Sequence, residues 1–203
     1  LEVFVGEAMI APLQIATPRL LLRQWRKSDR AAFAGLNADP EVMRFFPHSL
    51  SRAASDAMAE RIEQRIDELG WGLWAVEVPG VAEFIGFVGL NSPAPELPCA
   101  PCVEIGWRLA RAHWRQGYAS EAARAALHAA FTRLDFPEIV SFTALGNLPS
   151  RAVMASIGMR EDPTAAFEHP AIAAGHPLRA HCLYRLDRSD WKVGDGVGRI
   201  ERR

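Results

Sequence analysis

The hydrophobic and polar positions divide the chain into a series of short elements. Arg19–Trp25, rich in Leu and preceded by Pro18, reads as a strand. Ser28 fits a helix N-cap, with Asp29 in the first turn and Ala32, Phe33 and Leu36 on one face; Pro40 predicts that this helix stops before it. From Ser51 to Leu69, the residues Met58, Ile62, Ile66 and Leu69 recur at helical spacing, and Gly70 fits the stop. Trp74–Val78 and Glu83–Leu90 read as two strands around the turn Pro79-Gly80, followed by a proline-containing loop, Asn91–Pro101. Val103–Leu109 alternates strictly: Val103, Ile105, Trp107 and Leu109 share one face, and Glu104, Gly106 and Arg108 share the other.

After a turn, Ala112–Gly117, a helix begins near Ala119. Its apolar stripe is Ala119, Ala122, Ala123, Ala126, Leu127, Ala130, Phe131 and Leu134, and so many alanines allow it to lie close on a sheet. Glu138–Leu145 reads as a strand, and Asn147–Ile157 as a short helix with Pro149 in its first turn and Gly158 at its end. Asp162–Leu178 reads as irregular, His181–Leu186 as a last strand, and the Gly-rich tail after Trp191 as loose. The order β, α, α, β, β, β, α, β, α, β predicts an α/β fold of the α+β kind: one mixed sheet with helices on both faces. Residues 17–191 are expected to form one domain, with 1–16 an N-terminal extension (Met9 an alternative start) and 192–203 a loose tail.

Composition narrows the classes. Lys+Arg 23 against Asp+Glu 24 leaves a net charge of −1, so no basic excess points to nucleic acid. No apolar run approaches the ~20 residues of a membrane-spanning helix, and the acidic Glu2 and Glu7 do not suit a signal peptide. Three cysteines, Cys99, Cys102 and Cys182, suit a reducing compartment, and the expected location is the cytoplasm. Cys99-Ala-Pro-Cys102 has redox or zinc spacing, but a second cysteine pair is lacking and a strand follows; no metal is expected.

The chemistry lies in Val103–Ala122. There a strand runs into a turn of Arg115, Gln116, Gly117 and Tyr118, and a helix follows. A helix start offers unpaired N–H groups and partial positive charge, and a glycine turn can direct more N–H groups inward; Arg115 could add a fixed charge. Alone, this junction is common in α/β proteins.

The run Trp114-Arg115-Gln116-Gly117-Tyr118-Ala119-Ser120-Glu121-Ala122 resembles the coenzyme A pyrophosphate loop of the GNAT acetyltransferase superfamily, in the branch that includes the ribosomal-protein N-acetyltransferases. Three further segments match that branch in order: Asp39-Pro40-Glu41-Val42-Met43-Arg44, Glu104-Ile105-Gly106-Trp107, and Asn147-Leu148-Pro149-Ser150 followed by Gly158-Met159. The wider superfamily often has Gln or Arg where Trp114 stands here. The resemblance covers roughly Thr17–Trp191 and implies a GNAT-like fold with its central sheet splayed at the cofactor. It also implies acetyl-CoA as donor and a primary amine as acceptor, a protein N-terminus or a small molecule. Backbone groups of the strand around Trp107, Arg108 and Leu109 would pair with the pantetheine arm like an added strand, with Gly106 suited to a bulge. Arg115, Gln116, Gly117, Tyr118, Ala119 and Ser120 would hold the pyrophosphate, and Asn147 would contact the cofactor near the thioester. Phe46, His48 and His169, with their loops, would shape the acceptor pocket. The assembly is open, a homodimer being allowed for.

The reaction needs a neutral amine. A lysine amine, pKa about 10.4, is almost wholly protonated at neutral pH, and an α-amine, about 7.7–8.0, largely so. Glu104 is the candidate base, directly or through water; its competing reading is a solvated strand carboxylate. Ser150 is the candidate partner of the leaving thiol; its competing reading is a helix-start hydroxyl. The expected activity is direct transfer in a ternary complex. The rivals are an acyl-CoA sensor without turnover and a nucleotide-binding domain of another fold.

Overall fold

The structure, a computed structural model, describes residues 11–192 and 199–202. Strands β1 (Leu13–Ala16) and β2 (Leu21–Arg23) open the fold. Helices α1 (Asp29–Ala38), α2 (Pro40–Met43) and α3 (Arg52–Leu69) follow. Next come β3 (Leu73–Val78), β4 (Ala82–Asn91) and β5 (Glu104–Leu109), then α4 (Tyr118–Thr132), β6 (Glu138–Ala144) and α5 (Leu148–Ser156). The chain continues through β7 (Arg160–Glu161), β8 (Phe167–Glu168), β9 (Ala180–Asp187) and β10 (Arg199–Arg202). One mixed sheet runs β10-β1-β2-β3-β4-β5-β6-β9-β7, with β8 also paired to β9. The predicted α/β class with a mixed sheet is the one observed.

The core forms where the alternating strands meet the helices. Phe33 of α1 packs edge-on against Trp25 and Phe87, which covers one face of β4. Helix α4 covers β4 and β5 from the other face. Ala122, Ala123, Ala126, Ala129 and Ala130 are wholly buried, so the helix backbone approaches the sheet closely, as the alanine stripe predicts.

The helix boundaries agree with their signals, with one exception. Ser51 accepts the Ala54 N–H at 3.2 Å, and Gly70 ends α3 at φ 76°. Ser28 makes no capping bond, contrary to expectation. Asp29 is engaged on the residues ahead of the helix: its Oδ2 accepts the Arg26 N–H at 2.7 Å, and its carboxylate takes a two-pronged ion pair from the buried Arg23.

Five short elements escape the hydrophobic pattern: β1, α2, β7, β8 and β10. The tail, expected to be loose, supplies β10 at 199–202, antiparallel to β1. Short edge strands owe their existence to a neighbour elsewhere in the chain, which periodicity does not encode. Gly106 does not form the expected bulge. It pairs in unbroken register with Gly89, and the irregularity lies instead between Val76 and Val78. No helix among the described residues is long and apolar enough to cross a membrane.

Candidate active site

The site begins where β5 and β6 part. The two strands run parallel, but they are paired only where Glu104 stands opposite Val140, with the Val140 N–H donating to Val103 O at 2.9 Å. One residue further on, the strands are linked by a side chain, Ser141 Oγ donating to Ile105 O at 2.8 Å. The Ala110 N–H donates to Ile85 O, which fixes the alternation along β5. Arg108, Gly106 and Glu104 therefore exchange backbone bonds with β4, and the backbone groups of Trp107 and Leu109 face the gap. The Leu109 carbonyl is taken by the Trp114 indole N–H at 2.7 Å. This leaves the N–H and C=O of Trp107 and the N–H of Leu109 along an open strand edge, able to pair with an extended amide chain.

At the end of β5 the chain enters the turn that leads into α4. Arg115 and Gly117 both have positive φ, 59° and 80°, on either side of Gln116. Two left-handed residues in so short a stretch curl the backbone so that its N–H groups converge. Gly117 is the N-cap of α4 and offers no side-chain cap, so the first-turn amides of Tyr118, Ala119 and Ser120 remain available to an anion. The turn is braced from outside. Gln116 Nε2 donates to Ala112 O at 3.0 Å. Arg19 donates to Gln116 O at 2.9 Å and is ion-paired with Glu121, while its guanidinium lies 4.9 Å over the Tyr118 ring. Thr17 Oγ1 donates to the same carboxylate at 2.6 Å. Glu121, an acidic residue in the first helical turn, is thus engaged away from the cradle. The donor set of turn and strand edge fits a pyrophosphate joined to an amide-bearing arm, the chemistry of coenzyme A.

Glu104 sits at the apex of the fork, half-buried. Burial pushes its carboxyl up to about 7, working against a hydrogen bond with Asn91, its cross-strand partner, which favours the charged form. A carboxyl there is poised between its two forms near neutrality and can take a proton. On the same face Gly106 leaves open space: a Cβ there would meet only Glu104 Oε1, at 3.9 Å.

The remaining candidates are placed as follows. Asn147 caps α5, accepting the Ser150 N–H at 3.3 Å and donating to Thr143 Oγ1 at 2.8 Å. Ser150 lies half-buried in the first turn of α5, and its hydroxyl makes no hydrogen bond among the described residues. The Arg108 side chain turns away from the fork to α1, where it meets Asn37 at 2.5 Å and the Phe46 ring at 4.2 Å. His48 is exposed in the turn after α2. His169 stacks loosely with His181, centroids 5.0 Å apart, and with Phe167; burial holds both imidazoles below their ordinary pKa. His169 also borders a cleft of about 400 Å³ with Glu96, Leu97 and Pro170. Cys99 and Cys102 are free, and burial pushes the Cys102 thiol up to about 12, which makes it a poor nucleophile near neutrality. Among the described residues no group of three or more His, Cys, Asp or Glu could hold a metal.

The sequence reading passed over Arg19, Asn91 and Asn37. Arg19 meets the cradle across 97 residues and Asn37 meets Arg108 across 71, so no local spacing marks either. Only Asn91, the first loop residue after the predicted strand Glu83–Leu90, could have been found, by aligning β4 against β5.

Comparison with known proteins agrees with this geometry. Residues 19–160 match the family model described as acetyltransferase (GNAT) domain. An uncharacterized protein of Bacillus subtilis, YkkB, is 31% identical over 77% of this chain and 90% of its own. The FsC-acetyl coenzyme A-N(2)-transacetylase of Aspergillus fumigatus is 29% identical over 86% of this chain and 76% of its own. The crystal structure of a GNAT-family acetyltransferase from Bacillus anthracis superposes with a TM-score of 0.72 at 25% identity, covering 87% of this chain and 99% of that one.

Proposed function

The chain belongs to the GNAT acetyltransferase family, whose members are acyltransferases that use acetyl-CoA, and from that premise we propose that it moves an acetyl group directly from acetyl-CoA to a primary amine in a ternary complex. The observation that carries the reading is the fork between β5 and β6, with Glu104 at its apex and the uncapped α4 amides at its mouth. Bound acetyl-CoA supplies the activated acyl carbon. The N–H groups of Gln116 through Ser120 hold its phosphates, with Arg115 adding charge. The edge of β5 at Trp107 and Leu109 aligns the arm and directs the thioester toward Glu104. Asn147 lends the polar capacity left over from its capping bonds.

Glu104 takes the proton from the acceptor's ammonium, directly or through one water, so that a neutral amine faces the acyl carbon. Backbone N–H groups of β5 stabilise the charge that develops on the acyl oxygen. As the C–S bond breaks, the attacking nitrogen sheds its second proton, and Ser150, whose hydroxyl is uncommitted, passes it to the departing thiolate, so that coenzyme A leaves as the thiol. The acceptor enters from the α1 face, past Phe46 and His48, with His169 and its loop on the far side. The Aspergillus relative, by its name an N(2)-transacetylase using acetyl coenzyme A, supports donor and acceptor atom alike.

The test is thermal unfolding with acetyl-CoA, coenzyme A, ATP or NAD, paired with thiol release from acetyl-CoA by amines. At about 100 times its dissociation constant, a coenzyme A ligand is expected to add about 2.7 kcal/mol, with no response to ATP or NAD. Stabilisation without thiol release from any amine would favour a sensor over an enzyme.

A further inference from the structure

Of the two buried arginines among the described residues, one has no counter-charge. Arg108 is 9% exposed, yet no carboxylate of the described residues pairs with it. Its Nη1 donates to Asn37 Oδ1, its Nε is buried without a partner, and its Nη2 bonds to no described residue. The rings of Phe46 and Phe87 lie 4.2 and 5.4 Å from the guanidinium. A buried guanidinium is costly unless it is paired and hydrogen-bonded. The other buried arginine obeys the rule: Arg23, 2% exposed, is held by both Asp29 and Glu77. Arg108 is also fixed in place. Asn37, fully buried, donates in turn to Ser55 Oγ at 2.8 Å, so a short polar chain anchored in α3 sets the position of the guanidinium.

The location gives the unpaired charge its meaning. Arg108 lies on the same face of β5 as Glu104, four residues or about 13 Å along the strand. Between them the face is open, because Gly106 has no side chain and a Cβ there would touch nothing but Glu104 Oε1. Glu104, the open floor at Gly106 and Arg108 therefore stand in one row on this face of the strand. Phe46, 40% exposed, lies over the guanidinium at the edge of this face.

We propose that the acceptor is an amine that also bears a carboxylate, with its amine at Glu104 and its carboxylate on the unpaired edge of Arg108. This rests on the acetyl-transfer reading and adds the acceptor's class to it. An amino acid or short peptide with a free C-terminus has the required pair of groups. A polycationic amine has no counterpart for Arg108 and is disfavoured by it. The planar guanidinium can take a carboxylate through two parallel N–H groups, which a lysine ammonium cannot.

The experiment measures acetyl transfer to matched acceptors: amino acids, ω-amino acids and dipeptides against their carboxamides, with spermidine as a cationic control. At least one carboxylate acceptor is expected to exceed its carboxamide by about 100-fold or more in kcat/KM, because a site built for a charged partner rejects its absence strongly. In Arg108→Gln that ratio is expected to collapse to within about threefold, each carboxamide serving as the reference inside its own variant. Arg108→Lys, a milder change, is expected to lose about tenfold of the ratio. Acetyl-CoA stabilisation of each variant reports that it is folded. A wild-type enzyme that acetylates no carboxylate-bearing amine, or shows no preference in any pair, overturns the proposal. So does a preference that survives in a folded Arg108→Gln. Stabilisation by acetyl-CoA and thiol release with any amine decide the acyltransferase reading separately.

Discussion

At position 104 a carboxylate is asked to be both half-buried and charged. Burial pushes its carboxyl to about 7 from an ordinary value of 4.5, so the charged base is formed only as pH rises through neutrality. The rate kcat/KM is therefore expected to fall as pH drops below about 7, with a single limiting ionisation on the acid side. Glu104→Gln is expected to lower kcat by about 10²–10⁴ and to remove that limb. The same shift bears on stability with the opposite consequence. The folded state holds the proton more tightly than the unfolded one, so stability is lost as pH rises from about 4.5 through about 7. Glu104→Gln is thus expected to be more stable than wild type at pH 8, by about 1–3 kcal/mol, with the gap closing at acid pH. Urea unfolding at pH 4 and pH 8 checks the sign. A variant that is less stable at pH 8 would show that the charge is compensated in the fold.

At the scale of elements, two features hold the site's supports in register. Arg23 joins β2 to the start of α1 through Asp29 and to β3 through Glu77, at 2.7–3.0 Å. Asp29→Ala would leave a buried guanidinium with Glu77 as its one paired carboxylate among the described residues, and a loss of about 3–5 kcal/mol is expected by denaturant unfolding. The second feature is the alanine face of α4. Ala126 is wholly buried, and Ala126→Leu would force the helix off β4 and β5, at an expected cost of about 1–3 kcal/mol. Because the same helix carries the proposed phosphate cradle at its start, this variant is also expected to raise KM for acetyl-CoA; a surface alanine change would do neither. These supports were unevenly legible. The alanine stripe is plain in the sequence because a helix repeats every few residues. The Arg23–Asp29 pair is not, since an aspartate beside a serine reads as an ordinary helix start until the buried arginine is placed next to it.

Across the whole molecule, the cradle depends on residues far from it in the chain. Arg19, at the end of the β1–β2 turn, donates to Gln116 O and pairs with Glu121. The arginine is about half exposed, so the pair contributes little to stability, about 0–1 kcal/mol. Its effect is on shape: it holds the Gln116 carbonyl outward and neutralises an acidic group beside an anion site. Arg19→Ala is accordingly expected to leave unfolding nearly unchanged and to weaken acetyl-CoA binding several-fold, a split that titration calorimetry alongside thermal unfolding can read. Equal losses in both would make Arg19 a structural brace only.

What the sequence by itself determined was whatever is written in short-range order. The alternation of β5, the stripe of α4, the glycine turn between them and the Asn147 cap each follow from a few adjacent residues, because backbone geometry and local hydrogen bonds set them. Glu104 could be placed on the polar face of its strand for the same reason. What only the tertiary structure decided was whatever needs two distant segments. That β5 and β6 part after one paired residue, that β10 closes the edge beside β1, and that Arg19 braces the cradle all depend on contacts across many tens of residues. So does the unpaired state of Arg108. Its place on the strand could be read from the alternation, but burial among Phe46, Phe87 and Asn37 gives that charge its cost, and burial belongs to the packed molecule.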